Sequence, residues 1–494
     1  MSFNPSIYEI NTRVWIKQFD NGKKKPELLD VPIAYWKELK AKGIDMIWLM
    51  GIWETCTSTV EKYCFEENLV KEYKRTLKNW KKEDVIGSPY AINNYNINPA
   101  FGSIDDFKKF KKVINDLEFK LILDFIPNHF SADTELLKTN PEIFLSADYQ
   151  YYLDDPHTFY NPFQDEKMIF AHGRDPFFPA WQDTVQVNYF SENARKFMTE
   201  TLFDLTELCD GVRCDMAMLA LNNVFKNTWG GVLKKMGFNK PEEEFWSSAI
   251  SKVKSKSSDF LFLAEVYWEL EWELQQLGFD YTYDKKLTDR IRVGDVDEIK
   301  EHLAANSLYQ SKSIRFIENH DEQRSLTLFG KEKAKAAAFL MSTLTGMKLY
   351  FDGQFEGKTV KLPVQLGREP QQHINKCIVD FYDKLLVICS AEIFKKGEWK
   401  LLYPESSWNG NLSYKNLLAW EWSYENERRL VIINFSDHTS SCRLKLSLDD
   451  FPDQIQMIDL VEDELYIRSK EDIETIGLYV ELDLFKSHIF SYSL

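Results

Sequence analysis

Short apolar runs alternate with amphipathic stretches along roughly the first 390 residues of this chain. The runs cover residues 7–15, 45–50, 120–124, 211–215, 260–265, 279–283, 314–318 and 348–351. Each is short and rich in Ile, Leu, Val and aromatic residues, as expected of a strand buried on both faces of a parallel sheet. Between them lie segments with helical spacing. Residues 105–117 place Phe107, Phe110, Val113, Ile114 and Leu117 on one face behind Ser103 as a cap. Residues 35–42 form a second such segment, closed by Gly43, and 194–209 a third. Eight strand–helix units is the count of the (β/α)8 TIM barrel, in which a parallel sheet closes on itself inside a ring of helices.

Two regions break the alternation. Residues 130–185 are polar and aromatic with little periodicity, and follow the third strand. A connection of that length is expected to be functional or a small domain of its own. From about residue 395 the chain changes to short alternating strands at 417–422, 429–435, 441–446, 478–484 and 488–493, the pattern of an antiparallel β-sandwich. The expected organisation is therefore a barrel from 1–129 and 186–394, an insertion at 130–185, and a C-terminal sandwich at 395–494. The Lys- and Glu-rich stretch 61–84 reads as a solvated helical excursion.

The formal net charge of −16 argues against nucleic acid or an anionic membrane surface as partners and suits a neutral substrate. The seven cysteines are odd in number and none has C-x-x-C spacing, which points to reduced thiols and neither a disulfide framework nor a zinc site. The N-terminus has no basic stretch followed by an apolar run, and no segment holds 18 consecutive apolar residues. The expected location is the cytoplasm. Neither G-x-G-x-x-G after a strand nor a phosphate-binding G-x-x-x-x-G-K-[ST] occurs, so a nucleotide-cofactor enzyme is not expected. The 14 tryptophans are read mainly as core, with some as platforms for sugar rings.

Four acidic segments sit in phase with the strand count. They are Asp124 with Asn128 and His129 in D-F-I-P-N-H, Arg213 and Asp215 in G-V-R-C-D, Glu265 closing F-L-F-L-A-E, and Asn319-His320-Asp321. All lie at the ends of strands where barrel enzymes collect their reactive groups. Retaining cleavage of a glycosidic bond needs one carboxylate as nucleophile and one carboxylic acid as proton donor. A strand repeats its facing every second residue, so Arg213 and Asp215 can address one site, the guanidinium keeping the carboxylate ionised and aimed.

Taken together these segments resemble the α-amylase family, glycoside hydrolase family 13, across residues 7 to about 390 and in the C-terminal sandwich. Further segments are similar to family motifs: Gln186-Val-Asn188, Tyr95 to Gly102, and Gly346 to Gly353. The resemblance implies an inserted domain B after the third strand. It implies Asp215 as nucleophile, Glu265 as acid then base, and Asp321 as a hydroxyl-binding stabiliser. Arg213, His129, His320, Asp124 and the stacking Tyr90 are implied as substrate-binding residues. The substrate would be an α-1,4-glucan such as a malto-oligosaccharide, starch or glycogen.

The chain departs from the family at Met218 and Leu219, where many α-amylases carry Lys-His. In those enzymes the His contributes to a calcium site and the Lys to the leaving-group pocket. Calcium is thus the one cofactor the resemblance raises, with Asn128 as the remaining candidate ligand. Residues 353–357 and 362–368 also resemble the maltosyltransferase branch of the family. Two alternatives accompany the hydrolase reading: a transglycosylase with the same residues, and a non-catalytic glucan-binding protein that kept the fold.

Overall fold

In a computed structural model, which describes residues 4–22, 24–449 and 451–493, the eight runs form a closed barrel. Its strands are β1 (Ser6–Asn11), β2 (Met46–Met50), β3 (Lys120–Phe125), β4 (Gly211–Cys214), β5 (Leu261–Ala264), β6 (Tyr281–Tyr283), β7 (Ser313–Arg315) and β8 (Met347–Phe351). They pair in chain order, all parallel, and β8 closes on β1. The first run ends as a strand at Asn11. Thr12–Trp15 forms a helical turn instead, so the local β preference of Val14 and Trp15 yields to the turn leaving the barrel.

The helix at Ile104–Asp116 follows from its sequence. The Ser103 hydroxyl accepts from the Asp106 amide, Asp105 and Asp106 face the positive end of the helix, and Phe107, Phe110 and Ile114 are buried. Trp36, Trp48, Trp53, Trp246, Trp420 and Trp422 are all fully buried, which accounts for much of the tryptophan content as packing.

After β3 the chain runs into the inserted segment, whose ends are tied together by antiparallel pairing of His129–Ser131 with Thr184–Gln186. The 61–84 stretch is more structured than a solvated excursion. Helices Thr57–Tyr63 and Glu67–Thr76 enclose a small apolar cluster of Cys64, Tyr73, Leu77, Val85 and Leu366.

The C-terminal region is antiparallel. A six-stranded sheet includes Glu398–Leu402, Leu417–Tyr424, Glu427–Asn434 and Ser487–Ser493, and a two-stranded sheet joins Ser440–Leu444 to Leu478–Leu482. Two further strands, Gln454–Asp459 and Glu464–Ser469, extend the larger sheet beyond the sequence expectation. The Leu417–Tyr424 strand is buried on both faces. Leu417 and Ala419 pack within the sandwich, whereas Leu418, Trp420 and Trp422 join the core of the barrel. The Trp422 indole donates to the Thr343 carbonyl at 2.7 Å.

Gly211 starts the strand that carries the site. A Cβ there would lie 2.7 Å from the Leu261 Cβ and 2.8 Å from the Leu261 carbonyl oxygen on the neighbouring strand. Gly211→Ala is expected to cost about 1–3 kcal/mol through overpacking and to lower the thermal midpoint. Gly230→Ala, in the helix Asn222–Met236 with nothing within 4 Å of the added carbon, is expected to be neutral or to stabilise by about 0.5–1 kcal/mol. Equal midpoints for the two variants would contradict the close approach of β4 and β5.

Candidate active site

The register of β3, β4 and β5 decides which groups meet. Arg213 lies directly opposite Asp124 on β3 and Leu263 on β5. One residue beyond the last registered pairs stand Asp215 and Glu265, with the Asp215 amide bonded to Phe125 O and the Glu265 amide to Cys214 O. The barrel therefore brings three carboxyls to one guanidinium. Arg213 Nη1 donates to Asp215 Oδ1 at 2.7 Å and lies 3.5 Å from Asp124 Oδ1. Its Nη2 is 2.8 Å from Glu265 Oε2, an ion contact without an aligned hydrogen bond. Its Nε donates to the Tyr283 hydroxyl at 3.3 Å. Arg213 is only 1% exposed, and its guanidinium lies against the rings of Trp48, Tyr90 and Tyr283 at 5.0, 5.5 and 5.6 Å.

One buried cation cannot keep three buried carboxyls ionised. Burial raises Glu265 to about 7, Arg213 pulls it back, and Asp215 and Asp321 push it further up. Asp124 is raised by burial to about 7 against the pull of Arg213. Both of its side-chain oxygens are buried without a hydrogen-bond partner. Asp215 is also raised by burial, with Arg213 opposing through charge and hydrogen bond. Of Asp215 and Glu265, only Asp215 has the aligned Arg213 bond, which favours its ionised form over that of Glu265. The Glu265 carboxyl is fixed by two donors, the Met216 amide at 2.7 Å and the Tyr267 hydroxyl at 2.8 Å.

Across the cleft, His320 links β1 to the acidic loop after β7. Its Nδ1 bonds Glu9, a fully buried residue of β1. Its Nε2 lies 2.9 Å from Asp321 Oδ2 and 2.7 Å from the Tyr90 hydroxyl. Burial alone would lower the imidazole, but Asp321 and Glu9 override it and raise His320 well above its ordinary value. Asp321, the carboxyl most open to solvent, is held at about 2 because His320 outweighs the opposing effect of its enclosure. His129 is different: burial lowers it to about 4, so it stays neutral, with its ring edge-on to Trp181 at 5.4 Å.

Arg213, Asp215, Glu265 and Asp124 thus converge directly, and His320, Asp321 and Tyr90 form a bonded group beside them. His129 stands at the root of the inserted segment. Sequence reasoning passed over Glu9, Tyr267, Tyr283 and Lys361, whose Nζ bonds the Asp321 carbonyl. Two of these left a signal. Glu9 is the one charged residue of the strand Ser6–Asn11, and Tyr267 is two residues past Glu265.

The calcium ion raised by the family resemblance does not fit the residues present. The Asn128 side-chain and carbonyl oxygens both accept from Gln186 Nε2 at 2.9 Å, and Val187 O accepts from the same nitrogen at 3.0 Å. An N–H donor therefore stands where those oxygens converge, and a hard cation needs six to eight free oxygens. Met218 and Leu219 are buried apolar residues. Among the described residues, no group of three or more His, Cys, Asp or Glu side chains is placed to hold a metal.

Glu9→Gln is expected to lower the titration midpoint of His320, because one of the two negative partners of a buried imidazolium is removed. Nitrogen NMR of the histidine rings against pH checks this. An unchanged midpoint would mean that Glu9 does not support the charge.

The family model for the catalytic domain of α-amylase matches residues 33–380. Alpha-amylase MalA of Haloarcula japonica is 22% identical over 388 residues, covering 74% of this chain and 51% of that protein. Alpha-amylase 3 of Dictyoglomus thermophilum is 22% identical over 292 residues, 56% of this chain and 55% of that one. The chain thus spans about half the length of these curated relatives. Among solved structures, the noncanonic maltogenic alpha-amylase AmyB from Thermotoga neapolitana superposes with a TM-score of 0.70 at 21% identity, covering 100% of this chain and 99% of that one. An alpha-amylase from Lactobacillus plantarum gives 0.66 at 20% identity and 99% of both chains. These likenesses concern the fold. The family model spans most of the chain, from the helix after β1 past the close of the barrel at β8, and the chain belongs to the α-amylase family.

Proposed function

We propose that this chain is a retaining glycoside hydrolase cleaving α-1,4-glucosidic bonds in malto-oligosaccharides, starch or glycogen by double displacement. The observation that carries this reading is the single buried guanidinium of Arg213 in contact with both Asp215 and Glu265. Retention requires two carboxyls close together in unequal protonation states. Asp215 attacks the anomeric carbon while Glu265 gives its proton to the departing glycosidic oxygen. The resulting glycosyl–Asp215 ester is then opened by an incoming hydroxyl, whose proton passes to Glu265 as the bond to Asp215 breaks. The anionic Asp321, cationic His320, neutral His129 and the Asp124 carboxyl offer a varied set of donors and acceptors for the hydroxyls of the sugar being cleaved. The Tyr90 ring is the stacking surface in this reading.

The names of the relatives support the substrate class, and the acidic net charge of −16 suits a neutral glucan over nucleic acid or an anionic membrane. No helix among the described residues is long and apolar enough to cross a membrane. Seven cysteines without disulfides support a reducing, cytoplasmic setting. A purely binding protein would have little reason to gather mutually repelling carboxyls in a buried cluster.

Asp215→Asn is expected to lower kcat on maltoheptaose by about 10³-fold or more with little loss of folding, since both the nucleophile and its charge are lost. Near-normal turnover would exclude Asp215 as nucleophile. The acid must be protonated to work, so kcat/KM should fall as pH rises through about 7, the value to which Glu265 is raised. It should fall again on the acid side as Asp215 takes up a proton. Tyr267→Phe removes a donor that favours the Glu265 anion, so the alkaline limb should move to higher pH. A limb that stays in place or moves down would contradict Glu265 as the acid.

A further inference from the structure

The six-stranded sheet of the C-terminal region ends in the strand Glu464–Ser469, and among the described residues no strand pairs with its outer side. A free strand edge offers a row of main-chain donors and acceptors to another strand, and proteins commonly blunt such edges with proline, lysine or a bulge. This edge carries none of the three. Residues 464–469 contain neither Pro nor Lys, and their six pairs with Gln454–Asp459 run without a shift of register.

The two faces of the edge strand differ. Glu464, Tyr466 and Arg468 alternate along one of them. The Tyr466 hydroxyl donates to Glu464 Oε2 at 2.7 Å, the Arg468 guanidinium lies over the Tyr466 ring at 5.1 Å, and that ring stands edge-on to Phe490 at 5.6 Å. The three side chains thus form an ordered row with an acid at one end and a base at the other. The opposite face is apolar and uncovered. A row of paired residues, Trp422, Arg429, Ser491, Ile458 and Leu465, crosses the sheet on that face. It begins against the barrel at the fully buried Trp422 and runs out into solvent, where Ile458 is 47% and Leu465 56% exposed. Ile467, next to Leu465 on the same face, is 54% exposed. Adjoining aliphatic side chains left open where a covered face ends are the kind of patch that marks an interaction site.

We propose that the strand Glu464–Ser469 pairs antiparallel with its counterpart in a second copy of this chain, joining the two six-stranded sheets into one. The argument for a second copy is that the strand is complementary to itself. A two-fold axis between antiparallel strands sets one residue opposite itself and so fixes every other pair. With Tyr466 at the axis, Glu464 stands opposite Arg468 of the second copy and Leu465 opposite Ile467 of the second copy, and each pair occurs twice. An axis at Leu465 would set Glu464 against Tyr466 and Ile467 against Asp463. An axis at Ile467 would set Leu465 against Ser469 and Glu464 against Lys470, which already belongs to the following helix. The Tyr466 register alone joins opposite charges on one face of the strand and aliphatic side chains on the other. Cross-strand pairs of both kinds stabilise a sheet, and like charges directly opposite destabilise it. The same edge is used by both copies, so the assembly closes at two chains.

The test is light scattering coupled to size exclusion on the full chain, loaded at about 1 to 100 μM, the range in which a small interface dissociates. The wild-type mass should rise toward twice that of the chain as concentration increases. Ile467→Lys should raise the dimer Kd at least tenfold, because it places a charge in the apolar contact. Glu464→Arg and Arg468→Glu, which each set like charges opposite one another twice, should raise it at least fivefold. The double variant Glu464→Arg/Arg468→Glu restores opposite charges and should return to within threefold of wild type. All of these side chains are on the surface, and the return of dimer in the double variant shows that the fold is kept. A wild-type chain that stays monomeric at the highest concentration would overturn the proposal and leave the edge to a strand of another protein. Dimers unaffected by Ile467→Lys, a double variant as weak as the single ones, or assemblies larger than two chains would overturn it as well.

Discussion

The site depends on a charge that the barrel encloses. Arg213 has almost no contact with water, and a guanidinium in that position is stable only if anions replace its hydration. The carboxyls of Asp215, Glu265 and Asp124 do so, and in doing so repel one another. Their unequal ionisation is the outcome of too few positive charges for the acids gathered, and geometry decides which acid keeps its proton. The acid–base difference needed for glycoside chemistry is thus a property of the cluster as a whole. The second charge system, Glu9–His320–Asp321, stands beside the first and leaves a separate positive group facing the cleft.

Much of this was legible in the sequence because the signals were local or periodic. The barrel strands are short apolar runs, and the acids that meet Arg213 follow directly at their ends. Arg213 and Asp215 are two residues apart, so their cooperation follows from strand periodicity alone. What could not be read were partners supplied by closure of the barrel. Glu9 and His320 are 311 residues apart, and nothing near Glu9 announces its partner. Asn128 shows the opposite limit. Its residue type suits a metal ligand, but only the packed structure reveals that Gln186 already occupies its oxygens.

Local preference also gave way to tertiary context elsewhere. Residues 12–15 have strand-forming side chains but turn into a helix, because the chain must leave the barrel rim there. The strand Gln454–Asp459 alternates buried and exposed residues clearly, whereas its neighbour Glu464–Ser469 has no fully buried residue and forms at the sheet edge. An edge strand of that kind owes its existence to main-chain pairing with little help from side-chain burial, which is why its sequence says so little.

The strand Leu417–Tyr424 is buried on both faces, one toward the sandwich and one toward the barrel, with Trp420 and Trp422 on the barrel side. The change of pattern near residue 395 therefore marks a change from strand–helix alternation to antiparallel strands, and the apolar interior continues across it. Neither part can be removed without opening the hydrophobic interior of the other to water. The two regions are in this sense one cooperative body, joined through the strand Leu417–Tyr424.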